Sequence, residues 1–217
     1  YGDHRDLHLS IRRQRQMCIR DSFWIIALSF LFICAAITGV NANLVPMLTD
    51  GGLSAAGAAG YASVLGLAVI FGRLVAGWLL DRLWAPVVGL IVLVPSALAC
   101  LLLAWQVAPV FAIALLGLAG GAEFDLIAFL CLRYFGTRHY GKIYAWQWAS
   151  FTVASGLGPV AFGAIFDAAG SYETGLLVAM AAMLVGPALL LLLGPYPTQL
   201  TDRRPGDTSA TRHATAI

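Results

Sequence analysis

The chain has 217 residues, 60% hydrophobic and only 11% charged, with a formal net charge of +2. A soluble domain carries about 25% charged residues, so this composition excludes an ordinary water-soluble fold and points to lipid. Polar residues gather in 1–22 and 195–217, and nearly everything between them is apolar.

Residues 1–22 begin at Tyr1. The stretch Arg15-Gln-Met-Cys-Ile-Arg-Asp-Ser22 looks like translated read-through of a sequencing adapter; the other reading is a basic cytoplasmic loop. Either way the segment is set aside from functional argument and is expected to be a disordered non-native or linker piece. A bilayer core of about 30 Å takes about 20 apolar residues in helix. Six such runs follow: Phe23–Leu48, Ala55–Leu80, Val87–Trp105, Val110–Phe135, Ile143–Phe166 and Thr174–Gly194. The first is too long for a signal-peptide core of about 7–15 residues, and no cleavage pattern follows it. Short connections make neighbouring helices antiparallel, so 23–194 is expected to be one six-helix bundle. The polar residues 195–217 are expected to be a disordered cytoplasmic tail.

Orientation follows from the cations. Of the 13 Lys and Arg, five precede the first run, Arg82 follows the second, Arg133, Arg138 and Lys142 follow the fourth, and Arg203, Arg204 and Arg212 follow the sixth. With six crossings all of these share one side, and the opposite loops hold no Lys or Arg. The positive-inside rule puts that side, and both termini, in the cytoplasm. The remaining cation, Arg73, lies inside a span. Cys18, Cys34, Cys100 and Cys131 are scattered, without a CxxC pair, so no disulfide, metal or cofactor site is expected.

Gly72-Arg-Leu-Val-Ala-Gly-Trp-Leu-Leu-Asp-Arg82 ends the second run. Its Gly77-x-x-x-Asp81-Arg82 resembles the cytoplasmic loop motif of the major facilitator superfamily. In that motif a small residue lets helices approach, and an acid and a base latch the cytoplasmic ends. Trp84 stands where the motif has its second Gly, and the final basic pair is absent. Gly163-x-x-x-Asp167 ends the fifth run with the same spacing, so helices one to three and four to six are expected to be inverted three-helix copies. Asn43-Leu-Val-Pro-Met-Leu-Thr-Asp50, Gly121-Ala-Glu-Phe-Asp125-Leu, Arg133-Tyr-Phe-Gly136, Tyr140-Gly-Lys-Ile-Tyr144, Gly156-Leu-Gly-Pro159 and Gly194-Pro-Tyr-Pro197 look like the C-terminal half of bacterial facilitators of the monocarboxylate and oxalate/formate type.

That resemblance implies a carrier in the bacterial inner membrane. It moves a small solute by alternating access, with an N-terminal six-helix half missing from this chain as partner. The solute class it implies is an organic anion, with protons as a candidate coupling ion. No nucleic-acid partner is expected. It also implies that an arginine at the place of Arg73 binds a substrate carboxylate. Some of those carriers have an aspartate where Val69 stands here, and the oxalate branch has a lysine where this chain has Thr152.

The residues alone leave alternatives open. Intramembrane ionisable groups usually face a cavity or a partner. Arg73, Glu123 and Asp125 sit at similar depth, about 12 Å from the cytoplasmic helix ends. Arg73 is therefore read as a substrate ligand, as half of a structural Arg–carboxylate lock, or as a side chain snorkelling to the cytoplasm. Glu123 and Asp125 are two residues apart and cannot share a face. Either is a candidate for charge compensation or proton coupling, exchanging with substrate on Arg73. The fifth helix aligns Trp148, Thr152, Gly156, Pro159 and Gly163 along one side. The small residues suit close packing, and Pro159 suits gating. Asn41, Asn43, Arg73 and Thr152 are candidates for a polar face, of which Asn43 and Thr152 are read with Arg73 as substrate-binding. Tyr144, Trp146 and Trp148 read as an interfacial aromatic belt. An intramembrane serine protease would need a buried Ser–His pair. All four histidines (His4, His8, His139 and His213) lie outside the spans, so an enzyme is not expected. A transporter of the same fold for a non-carboxylate solute and a non-transporting membrane scaffold stay as the alternatives.

Overall fold

A computed structural model describes residues 3–138 and 140–196, with side chains from Arg20 onward. It contains α1 (Asp3–Asp50), α2 (Ala55–Leu80), α3 (Ala85–Ala104), α4 (Pro109–Phe135), α5 (Tyr140–Ala169) and α6 (Tyr172–Leu190), closed by a 3-10 turn at Leu191–Leu193. All six helices are long and apolar enough to cross a membrane.

Two expected boundaries are corrected. The first helix begins at Asp3 and not Phe23, so residues 3–22 are helical. They contain no Pro or Gly, and Arg, Gln and Leu favour helix, so nothing in the segment stops the helix. Its apolar, membrane-length part starts at Arg20. At the other end the bundle does not stop at Gly194. Tyr196 accepts a hydrogen bond from the Ala85 N–H at 2.8 Å. The rest of the expected tail, from residue 197, lies outside the described residues, as does His139.

The helices pack in an order that differs from their sequence order. The most extensive interfaces are α2 on α4 and α1 on α5, followed by α3 on α4, α3 on α6 and α1 on α6. This pattern is unchanged when α1, α2 and α3 are exchanged with α4, α5 and α6. Partners in that exchange run in opposite directions across the bundle, as inverted repeats do.

Glycines make the closest approaches. A Cβ on Gly72 would meet the Leu118 backbone of α4, and one on Gly158 would meet the Ala35 carbonyl of α1. Gly72 and Gly158 keep the same separation as Gly77 and Gly163, and as Asp81 and Asp167. Each copy therefore makes a close helix contact through a glycine at the same position.

The helix ends define two faces. On one, Tyr134 donates to the Gly194 carbonyl at 2.6 Å, and the Arg133 guanidinium lies over the Tyr196 ring, 4.7 Å from its centroid. The start of α3, the end of α4 and the segment after α6 are clasped together there. On the other face Tyr172 donates to Asp50 at 2.7 Å, beside a cavity of about 380 Å³ lined by the ends of α1, α3 and α5 and the start of α6. Tyr134→Phe is expected to remove one net hydrogen bond from the clasp, about 1 kcal/mol, read as a lower midpoint in thermal unfolding in detergent.

Candidate functional site

α1 and α4 are the most buried spans, whereas α2 and α5 have only 22% of their apolar windows buried. α2 packs mainly on α4 and α5 mainly on α1. Their outer sides leave an open face to which both α2 and α5 contribute side chains.

Arg73 is exposed on α2. Its guanidinium lies over the ring of Phe124 on α4, 5.2 Å from the centroid. Among the described residues it forms no ion pair with Glu123 or Asp125. The expectation of a carboxylate partner in the empty protein is corrected on this point. Depth matched the three charges, but azimuth separates them. Glu123 turns inward, is 2% exposed, and has its Oε2 buried without a hydrogen-bond partner. Its electrostatic neighbour across the interface is Cys34 of α1, which sits by Thr38 and Ser155. Asp125 is half-buried, within electrostatic range of Tyr144.

Phe124 is also part of a row of rings. It lies 5.9 Å from Trp148 and 5.1 Å from Phe151. Trp148 stacks on Phe151 with centroids 5.1 Å apart and planes 12° from parallel. The row continues through Tyr144, 5.8 Å from Trp148, to Tyr140 at 5.3 Å. Tyr144 and Trp148, read as part of an aromatic belt, also contact other rings. The belt reading fits Trp146, which is 69% exposed. Sequence reasoning misses Phe124 as a site residue. Its one signal there is its place between two intramembrane acids.

The other candidates are placed as follows. Thr152 is exposed and donates to the Trp148 carbonyl at 2.9 Å. Asn43 is half-buried and donates to the Gly39 carbonyl at 2.9 Å. Asn41 is half-buried, with its Oδ1 enclosed and unpartnered. Gly77, Gly156 and Gly163 have nothing within 4 Å of a built Cβ, so the packing role expected of Gly156 and Gly163 belongs to Gly158 instead. Gly77 likewise admits no helix of this chain. Pro159 lies inside α5, which continues through it. Asp81 caps α2 through its backbone N–H. Arg82 turns back on its own helix, donating to the Trp78 carbonyl at 3.2 Å with its guanidinium 4.1 Å from the Trp78 ring. An Asp81–Arg82 latch between elements is not formed among the described residues.

Residues 26–215 match the family model described as Major Facilitator Superfamily. The chain belongs to this superfamily. Among curated protein sequences none matches it significantly. Solved structures with the same fold include a singly substituted form of the E. coli fucose:proton symporter FucP, at TM-score 0.68 and 18% identity over 80% of this chain and 43% of that one. FucP in the outward conformation gives TM-score 0.64 and 21% identity over 82% and 43% of the two chains. A bacterial homologue of the human lysosomal transporter Spinster, in an inward-facing and occupied conformation, gives 0.57 and 19% over 80% and 49%. The chain spans less than half the length of these transporters. It is an integral membrane protein with a facilitator fold, and its family is one of transporters rather than enzymes.

Proposed function

We propose that the chain is half of a secondary carrier that moves a small organic anion, such as a monocarboxylate, by alternating access, with Arg73 as the anion-binding group. One observation carries this reading. A guanidinium sits within a membrane span, exposed on the open face, leaning on a ring and free of a carboxylate among the described residues. A guanidinium stays charged when desolvated and holds a carboxylate with two parallel hydrogen bonds. Thr152 and Asn43 are candidate substrate contacts that would have to leave their own helix backbone.

Glu123 is assigned charge compensation or proton exchange, with Asp125 as its alternate. The unpartnered Glu123 Oε2 supports that choice, because a buried ionised carboxylate without a partner is costly. Any coupling to Arg73 then runs through α4, since Phe124 and not Glu123 meets the guanidinium. Gly77, Asp81 and Arg82 form the cytoplasmic gate, and Pro159 is a gating point in α5.

The partner is a second six-helix half encoded upstream in the same gene. The exposure of α2 and α5 and the length of the solved relatives support this. The charge distribution supports cytoplasmic termini, and the resemblance to bacterial facilitators supports a bacterial inner membrane. A second reading, a neutral ring-shaped solute, is favoured by the exposed indole of Trp148, which is 38% accessible. The fucose of the symporter relative is a solute of that kind.

Uptake into proteoliposomes is the test. The isolated 217-residue chain is expected to give background flux, and adding the upstream half is expected to give uptake of labelled carboxylates in preference to sugars. Robust flux through the isolated chain would sink the two-half reading. Preference for sugars would sink the anion reading.

A further inference from the structure

The row of rings beside Arg73 narrows the solute class further. Trp148 is packed among other rings. One indole face stacks on Phe151, and Tyr144 and Phe124 lie against it at tilted angles. It nevertheless keeps 38% of its surface exposed. Phe124 touches this indole and carries the Arg73 guanidinium. A flat apolar surface and a fixed cation thus share one ring as neighbour.

We propose that the carried anion is a planar aromatic or conjugated carboxylate, its carboxylate on Arg73 and its ring against the exposed part of the Trp148 indole. This rests on the anion reading above and adds the shape of the solute. A saturated ring of the same carbon count presents the same charge but offers the indole C–H bonds in place of a π face, and so lacks the aromatic pairing term. A neutral ring stacks but leaves the guanidinium without its anion. Stacking between aromatic rings is worth a factor of up to about ten in affinity beyond the area buried.

The carrier completed with its upstream half, in detergent micelles, is titrated with benzoate and with cyclohexanecarboxylate, binding being read by saturation-transfer NMR. Benzoate is expected to bind about tenfold more tightly. Trp148→Leu should bring that ratio toward one, and Trp148→Phe, which keeps a ring, should preserve most of it. Trp146→Leu is the control and should keep the full ratio. Equal affinity for the two acids in the unsubstituted carrier would overturn the planar assignment and leave the anion reading standing. So would a ratio unaffected in the Trp148→Leu variant. Benzyl alcohol binding as tightly as benzoate, or no binding of either acid, would remove both.

Discussion

Replacing Arg73 by Lys in the carrier completed with its upstream half is expected to weaken substrate binding about 10- to 100-fold. This corresponds to losing a charge-assisted hydrogen-bond pair of about 1.5–3 kcal/mol. A lysine keeps the charge, but a point charge does not reproduce the planar fork that grips two carboxylate oxygens. Arg73→Ala should lose at least as much. The fold should be little affected by either change, because Arg73 is exposed and its visible contact is a ring, Phe124 at 5.2 Å. Exposed contacts of this kind contribute about 0.5–1 kcal/mol. Paired uptake and thermal-unfolding measurements separate the two roles. A helix-locking role predicts a large fall in stability alongside the loss of transport. Wild-type uptake with unchanged affinity in both variants would remove Arg73 from the anion site.

A second large effect is expected at the helix contacts. In Gly121→Leu the new side chain would start where the Val69 carbonyl and the Arg73 N–H already lie. Gly158→Leu would strike the Ala35 carbonyl and the Thr38 hydroxyl. Overpacking against backbone has no flexible neighbour to yield, so each should destabilise by about 3 kcal/mol, the upper end for an added side chain in a filled core. Gly156→Ala and Gly77→Ala meet nothing within 4 Å and should leave the isolated chain at least as stable, since Ala favours helix by about 1 kcal/mol. Thermal unfolding in detergent reads both sets. A Gly77→Leu change that is silent in the isolated chain but harmful in the two-half carrier would locate the partner's docking surface at α2. Equal, small losses for Gly121→Leu and Gly77→Leu would mean that the α2–α4 contact is looser than described.

The spans are legible in the sequence because each is a run of apolar residues at bilayer length, interrupted by Gly, Pro and charge. α2, for example, ends at Leu80, just before Asp81 and Arg82. The start of α1 is not legible in the same way. A charged segment without Pro or Gly is compatible with helix or coil, and hydropathy reads only the membrane part. Arg73 is found at once, since a lone cation in a span stands out against its neighbours. Its partner is not. Residue counting gives depth along a helix reliably, but which way a side chain turns depends on how the helices pack. Glu123 and Phe124 are adjacent in sequence, yet one faces Cys34 inside the bundle and the other carries the guanidinium. The glycines mislead for the same reason. Gly156, Gly158 and Gly163 look alike in the sequence, and only the path of α1 past α5 selects Gly158.

The packing order also bears on how the chain is made. α1 rests chiefly on α5 and α6 and has little contact with α2, so its principal neighbours are the last of the six helices to leave the ribosome. Until then α1 lacks its principal partners within this chain. Four of its polar side chains are suited to that wait. Ser29 donates to the Ile25 carbonyl, Thr38 to Cys34, Asn43 to Gly39 and Thr49 to Val45, each four residues back in the same helix. In a bilayer, polar groups must be satisfied internally, and these satisfy themselves before any other helix arrives. Closure of this bundle waits for α5 and α6, so a truncation that removes α6 would leave α1 inserted without one of its main partners.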